Sequence, residues 1–286
     1  MAEPYSIDDY REHGYAVASS VFGTAEIAEI AAEFDRFEAE GLKHPRTFRH
    51  QNMLYLIRDD PRAGRWLHFM QWPAYVSDVL QDYRVHVRLL EIVEPLIGNN
   101  LKQIINQLSW KPPGSGQAVF AYHQDCRFRR PSSAYRSLAS SYVQTGIAID
   151  PHRPENGCMK VYPGSHRLGD LKLNVERGVS EAQYDEECLR KHDLNPERLV
   201  DLILEPGDVA LWGPYTIHGS GLNRSAMNRR FYLNGYVIAQ NCDRGEWAFR
   251  DGRPCRLEEP VLVQYDDLMT RPEPHYVSGA PHPYTE

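Results

Sequence analysis

Gln107-Leu-Ser-Trp-Lys111-Pro-Pro-Gly-Ser-Gly116 is where the chain changes period. Gln107, Ser109 and Lys111 alternate with Leu108 and Trp110, so residues from 103 onward read as a strand with one polar face. The Pro-Pro-Gly-Ser-Gly run that follows predicts a turn. Upstream the period is helical. Over 24–40, Ile27, Ile30, Ala31, Phe34 and Phe37 form one face, with Thr24 read as N-cap, Glu26 at the positive end of the dipole and Gly41 as the stop. A second helix is predicted over about 75–97 from Val76, Val79, Leu80, Tyr83, Val87, Leu90 and Val93, ended by Gly98. Downstream, 117–123, 142–150, 158–162, 200–204, 208–213, 215–219 and 228–238 read as short strands. Pro151–Gly157 and Glu205-Pro-Gly-Asp208 are the connections between some of them. Helices first and many short strands after predict a mainly β fold with helical support: a double-sheet, cupin-like jelly roll.

Two segments fit that core poorly. Residues 170–200 are charged and partly helical in pattern, and read as an insertion. Residues 240–286, with Pro254, Pro260, Pro272, Pro274, Pro281 and Pro283, read as an irregular C-terminal segment. No linker justifies a cut, so 1–286 is taken as a single domain.

Composition sets limits on function. At 286 residues with 42% hydrophobic and 25% charged side chains, the chain can bury a sizeable core. A net charge of −7 argues against nucleic acid or an anionic membrane as the main partner. Cys126, Cys158, Cys188, Cys242 and Cys255 are odd in number and lack paired spacing, which points to a reducing cytoplasm rather than a disulfide framework. The polar, acidic start lacks the apolar run of a secretory signal, and no stretch approaches the length of a membrane span.

The chemistry concentrates on His123-Gln-Asp125, His218 and Arg229. On a strand, residues i and i+2 share a face, which aims His123 and Asp125 together and Gln124 away. Two imidazoles and one carboxylate on one face of an octahedron leave positions open, the arrangement of non-haem iron(II) oxygenases. The same ligand types suit zinc. The tripeptide alone carries little weight in a chain with 12 His, and a lone His such as His166 or His192 reads as structural or solvated. Arg229 adds the decisive charge. It shares a strand face with Phe231 and Leu233, and an inward Arg among apolar neighbours is costly unless an anion pairs with it. A dicarboxylate would do so, with Ser220, two residues after His218, donating a hydroxyl hydrogen bond. Arg127, Arg129, Arg130 and Arg136 follow the metal tripeptide. They read either as a pocket-mouth site for an anionic group or as a solvated, salt-bridged loop.

His123-Gln-Asp125, Glu155-Asn-Gly-Cys158, Tyr162-Pro-Gly-Ser-His166, Glu205-Pro-Gly-Asp208, His218-Gly-Ser220-Gly-Leu-Asn-Arg-Ser225 with Arg229, and the opening Asp9-Tyr-Arg-Glu-His-Gly-Tyr15 together resemble the phytanoyl-CoA dioxygenase family. The resemblance covers nearly the whole chain to about 240. It implies a double-stranded β-helix and an iron(II)- and 2-oxoglutarate-dependent dioxygenase. Such an enzyme uses O2 to hydroxylate a C–H bond of a small organic molecule, releasing succinate and CO2. It implies His123, Asp125 and His218 as metal ligands and Arg229, Ser220 and Gln107 as co-substrate contacts. Some members carry an aromatic residue near position 146, where this chain has Gly146. The retained Asp125 implies hydroxylation or a related oxidation rather than halogenation. Two rival readings are a cupin-like metalloenzyme that does not use 2-oxoglutarate and a non-catalytic binding protein on the same fold. Co-substrate dependence separates them.

Overall fold

Along the strands that build the site, successive side chains turn to two different cores, and both faces are buried. In β7 (Tyr142–Ala148), β10 (Val209–Trp212) and β12 (Phe231–Ile238), Val143, Ile147, Val209, Leu211, Tyr232 and Tyr236 point to one apolar core, and Ala148, Ala210, Trp212 and Phe231 to another. The computed structural model describes residues 5–61, 63–115, 118–173, 186–258 and 273–277. The larger core lies between one face of a sheet and the helices α2 (Thr24–Gly41), α3 (Asp78–Arg84) and α4 (Val87–Ile97). There Phe34 meets Trp110 edge to face at 4.7 Å between ring centroids.

Two antiparallel sheets make the barrel. Among the described residues the larger runs β1 (Tyr15–Ala18), β10, β7, β12, β5 (Leu101–Ser109), β4 (Gly64–Gln71), β3 (Met53–Asp60), β2 (Phe48–His50) and β15 (His275–Tyr276). The smaller runs β6 (Phe120–His123), β11 (His218–Ser220), β8 (Met159–Val161) and β9 (Val200–Asp201). Met159 and Val161 of the smaller sheet pack on Ala210, Trp212 and Phe231 of the larger. This is the jelly roll that the strand pattern predicts, closed on one side by helices.

The differences from the sequence reading have local causes. Gly23, not Thr24, is the N-cap of α2, because the Glu26 carboxylate accepts the Gly23 N–H at 2.8 Å. Gly41 is the last residue of that helix rather than its stop, and Leu42 follows as C-cap. The helix expected over 75–97 is two helices: Ser77 caps α3 through the Leu80 N–H, and His86 caps α4 through the Arg88 N–H. Val76 and Val87, two of the residues that give the helical spacing, are 43% and 59% exposed beside those caps. Strand β3 escapes period reading because Met53–Ile57 is apolar at every position. Residues 246–250 were read as irregular but form β13 (Glu246–Arg250), paired with β5 and with β14 (Arg253–Pro254). Of the 170–200 segment, the described part holds α6 (Glu187–Arg190). Residues 174–185, 259–272 and 278–286 lie outside the described residues.

The start of the chain is bound into the site end of the barrel. Gly14 ends α1 (Ile7–His13) at φ +81°, and an added Cβ there would meet the His166 ring at 2.3 Å. Its carbonyl accepts from Thr216 Oγ1 at 2.6 Å and from the Gly213 N–H at 3.1 Å, just ahead of His218.

Candidate metal centre and anion site

His123 and His218 face each other as a register pair between β6 and β11. Each turns Nδ1 to a backbone carbonyl two residues back, His123 to Ala121 at 2.7 Å and His218 to Thr216 at 2.9 Å. A carbonyl only accepts, so Nδ1 carries the proton and Nε2 keeps its lone pair. Both Nε2 atoms point at Asp125 Oδ1, at 3.7 and 3.8 Å. The three ligand atoms lie within 4.8 Å of one another on buried side chains. Among the described residues this is the only His/Cys/Asp/Glu group so placed.

Asp125 reaches that point by a different route from the strand alternation expected. β6 ends at His123, and Asp125 opens a 3-10 turn, Asp125–Phe128. Gln124 does turn away, and its amide locks the exit. It donates to the Gly169 and Tyr215 carbonyls and accepts the Leu171 N–H at 2.7, 2.7 and 2.8 Å. Trp212 Nε1 donates to Asp125 Oδ2 at 2.9 Å, leaving Oδ1 for a metal. Burial alone would raise the Asp125 pKa, but His218, Arg129, His123 and the Trp212 N–H outweigh it and hold the carboxyl ionised. Burial, then His218, pushes His123 down to about 3, so the imidazole is a neutral ligand at physiological pH. A buried carboxylate and two pre-set imidazole lone pairs are a fit for a divalent cation.

The family-like motifs support this geometry from behind. Ser165 Oγ accepts the Ile217 N–H at 2.8 Å and donates to the Tyr162 carbonyl, which seats β11 on the Tyr162–His166 turn. Asn223 donates to the Lys111 and Met227 carbonyls at 2.9 and 2.6 Å and fixes the 221–227 loop. The Arg229 N–H bonds the same Lys111 carbonyl at 3.1 Å.

Two buried cations meet there. Arg229 is 4% exposed and Lys111 1%. Both donate to Ser220 Oγ, Arg229 Nη2 at 3.3 Å and Lys111 Nζ at 2.8 Å, and Lys111 also bonds the Gly221 carbonyl. Among the described residues no carboxylate lies within ion-pair distance of either, and Arg229 Nε has no partner. Burial lowers both pKa values, that of Arg229 to about 10, with Arg229 acting second on Lys111. The neighbouring Arg230, in contrast, is neutralised by Asp150 and Asp35 on the outer face. Uncompensated buried positive charge with an unfilled N–H is a receptor for a carboxylate.

Lys111 stands beside Arg229 and Ser220 in this site and is missed by the sequence reading. Its signal was present as the last inward position of the Gln107–Ser109–Lys111 row. Gln107, read as a co-substrate contact, lies on that same row but lines a neighbouring cavity with Phe128, Arg129, Arg130 and Arg244. At Gly146, where some family members carry an aromatic residue, the space is taken: a Cβ there would sit 2.2 Å from the Phe231 ring. Phe231 thus supplies an aromatic wall from the adjacent strand, stacked near Trp212 at 6.2 Å. Of the four arginines after the metal tripeptide, Arg136 forms a two-pronged pair with Asp243 at 2.8 and 2.9 Å, as the salt-bridged reading expects. Arg129 and Arg130 face the cavity.

Comparison with known proteins agrees with this chemistry. The family model for phytanoyl-CoA dioxygenase matches residues 10–231. A probable alpha-ketoglutarate-dependent hypophosphite dioxygenase of Stutzerimonas stutzeri is 27% identical over 277 residues, covering 90% of each chain. The peroxisomal phytanoyl-CoA dioxygenase of Mus musculus is 28% identical over 76% of this chain and 62% of its own length. The crystal structure of EctD from S. alaskensis with bound iron superposes with a TM-score of 0.63 at 20% identity, over 91% of this chain and 89% of that one. The epimerase SnoN, crystallised with iron, alpha-ketoglutarate and nogalamycin RO, gives 0.59 at 21% identity, over 91% and 94%.

Proposed function

Because the chain belongs to the phytanoyl-CoA dioxygenase family and is an iron(II)- and 2-oxoglutarate-dependent dioxygenase, we propose the following division of labour among its residues. His123, Asp125 and His218 hold the iron, which when bound supplies the activation of O2 for substrate oxidation with release of succinate and CO2. Arg229 and Lys111 bind the distal carboxylate of 2-oxoglutarate, with the Ser220 hydroxyl fixed between them. Trp212 orients Asp125, and Phe231 keeps water from the wall between the anion site and the metal. Gln107 stands where the co-substrate row opens into the substrate cavity. Excluding water matters because each charge interaction strengthens as the local dielectric falls.

The observation that carries this reading is the pairing of a buried His–Asp–His group with two buried cations that lack a carboxylate. The substrate is a small molecule, and the arginines of the adjoining cavity support one that carries negative charge. The Stutzerimonas stutzeri relative, named for hypophosphite, supports the same inference. Five free cysteines, four of them buried, support a reducing cytoplasm as the working compartment. Among the described residues no helix is long and apolar enough to cross a membrane.

The test is succinate formation with iron(II), ascorbate and 2-oxoglutarate over a panel of small acids, their neutral amides and hypophosphite. Stimulation by one or more acids is expected. Turnover of a panel compound that persists when 2-oxoglutarate is withheld overturns the assignment of Arg229 and Lys111.

A further inference from the structure

Among the described residues, the cavity beside the iron site is lined by three arginines and no acid. Phe128 connects it to the metal centre, standing edge-on to the His123 ring at 5.5 Å. Arg129 is committed inward, with Nη2 on the Tyr142 hydroxyl at 2.5 Å and its guanidinium over that ring. Arg130 and Arg244 are different. Each is half-buried, and among the described residues neither has a carboxylate within ion-pair distance. The nearest candidate by sequence, Asp243, is drawn outward by Arg136.

The two loops that carry these arginines are fastened together. The Arg136 N–H bonds the Asn241 carbonyl at 2.8 Å, and the Asp243 N–H bonds the Ala134 carbonyl at 3.0 Å. Tyr135 and Cys242 form a bridge between them, and Arg136 also caps the Gln240 carbonyl at 2.6 Å. A fixed frame that presents two uncompensated guanidinium groups is pre-organised for one oxyanion, because little ordering entropy is left to lose on binding.

We propose that Arg130 and Arg244 form a clamp for an oxyanion on the substrate, so that the substrate class is a compact carboxylate or phosphorus oxyacid whose reactive hydrogen is presented past Phe128. This rests on the functional reading above and narrows it. Gln71 and Gln107, register partners on β4 and β5 in the same lining, supply amides for the polar remainder.

The test uses full-length protein held anaerobically with iron(II) and saturating 2-oxoglutarate, so that the Lys111–Arg229 site is already filled. Propionate, methylphosphonate and propionamide are titrated, with thermal shift and tryptophan fluorescence as readouts. Saturable binding of at least one anion and none of propionamide is expected, and the anion that binds separates carboxylate from phosphorus chemistry. Arg130→Gln and Arg244→Gln should each weaken it about tenfold or more. Arg244→Lys should recover part of the loss, and Arg250→Gln, exposed at the end of β13, should change nothing. Equal binding of propionamide, no saturation by either anion, or full binding by both Gln variants overturns the clamp. A failure of the wild type to form the coloured iron–2-oxoglutarate chelate before any anion is added would instead count against the functional reading.

Discussion

Asp125 is the residue on which the most forces converge: two imidazoles, the Trp212 N–H and the field of Arg129. Asp125→Ala should abolish coupled succinate formation and weaken iron(II) binding. An alanine variant that binds iron and turns over as before would remove the triad assignment. Trp212→Phe keeps an aromatic ring but deletes the hydrogen bond to Oδ2 together with part of the buried indole. Loss of such a supporting contact should lower iron affinity by roughly 10- to 100-fold, read by iron titration. Lys111→Met and Arg229→Met should each raise the 2-oxoglutarate KM by about tenfold or more, and their effects should not add, since both donate to one Ser220 oxygen. The residue types of the triad and Arg229 were legible because buried charge has few innocent explanations. Lys111 was not, because a lysine ending a polar strand face reads as a solvated side chain until its lack of a carboxylate is seen.

At the scale of elements, site and support come from different sheets. The histidines belong to the short sheet, while Trp212, Arg229, Phe231 and Lys111 belong to the long one or its immediate ends. The fit between Phe231 and Gly146 therefore helps set how the sheets approach. Gly146→Ala forces a methyl into the Phe231 ring and should cost about 1–3 kcal/mol, measured by chemical denaturation. Combining it with Phe231→Leu should recover part of that stability while leaving the Trp212 side less well packed. On the helix side, Phe34→Ala removes a fully buried ring against Trp110 and should cost about 3–5 kcal/mol. The strand alternation of β5, β7 and β12 was readable because each mixes polar and apolar positions. Strand β3 was not, since the unbroken apolar run Met53–Ile57 carries no alternation. The break between α3 and α4 was hidden because apolar spacing continues in phase across Val85 and His86. The turn that aims Asp125 was equally invisible, since His-x-Asp looks the same in a strand and at its end.

Across the whole molecule, the site is assembled from positions far apart in sequence: Gly14 with Thr216, Lys111 with Ser220, His123 with His218, Trp212 with Asp125. A fold so dominated by long-range pairing should form slowly for its size. The Gly14 carbonyl adds to this, since it accepts from Thr216 and Gly213, about two hundred residues later. During vectorial synthesis the opening helix must therefore wait, its partner surface unwritten, until the His218 strand emerges. Nascent chains stalled before residue 213 should leave the opening segment open to protease, and chains released past residue 240 should protect it. In this protein one word of the message is understood only about two hundred residues after it is written.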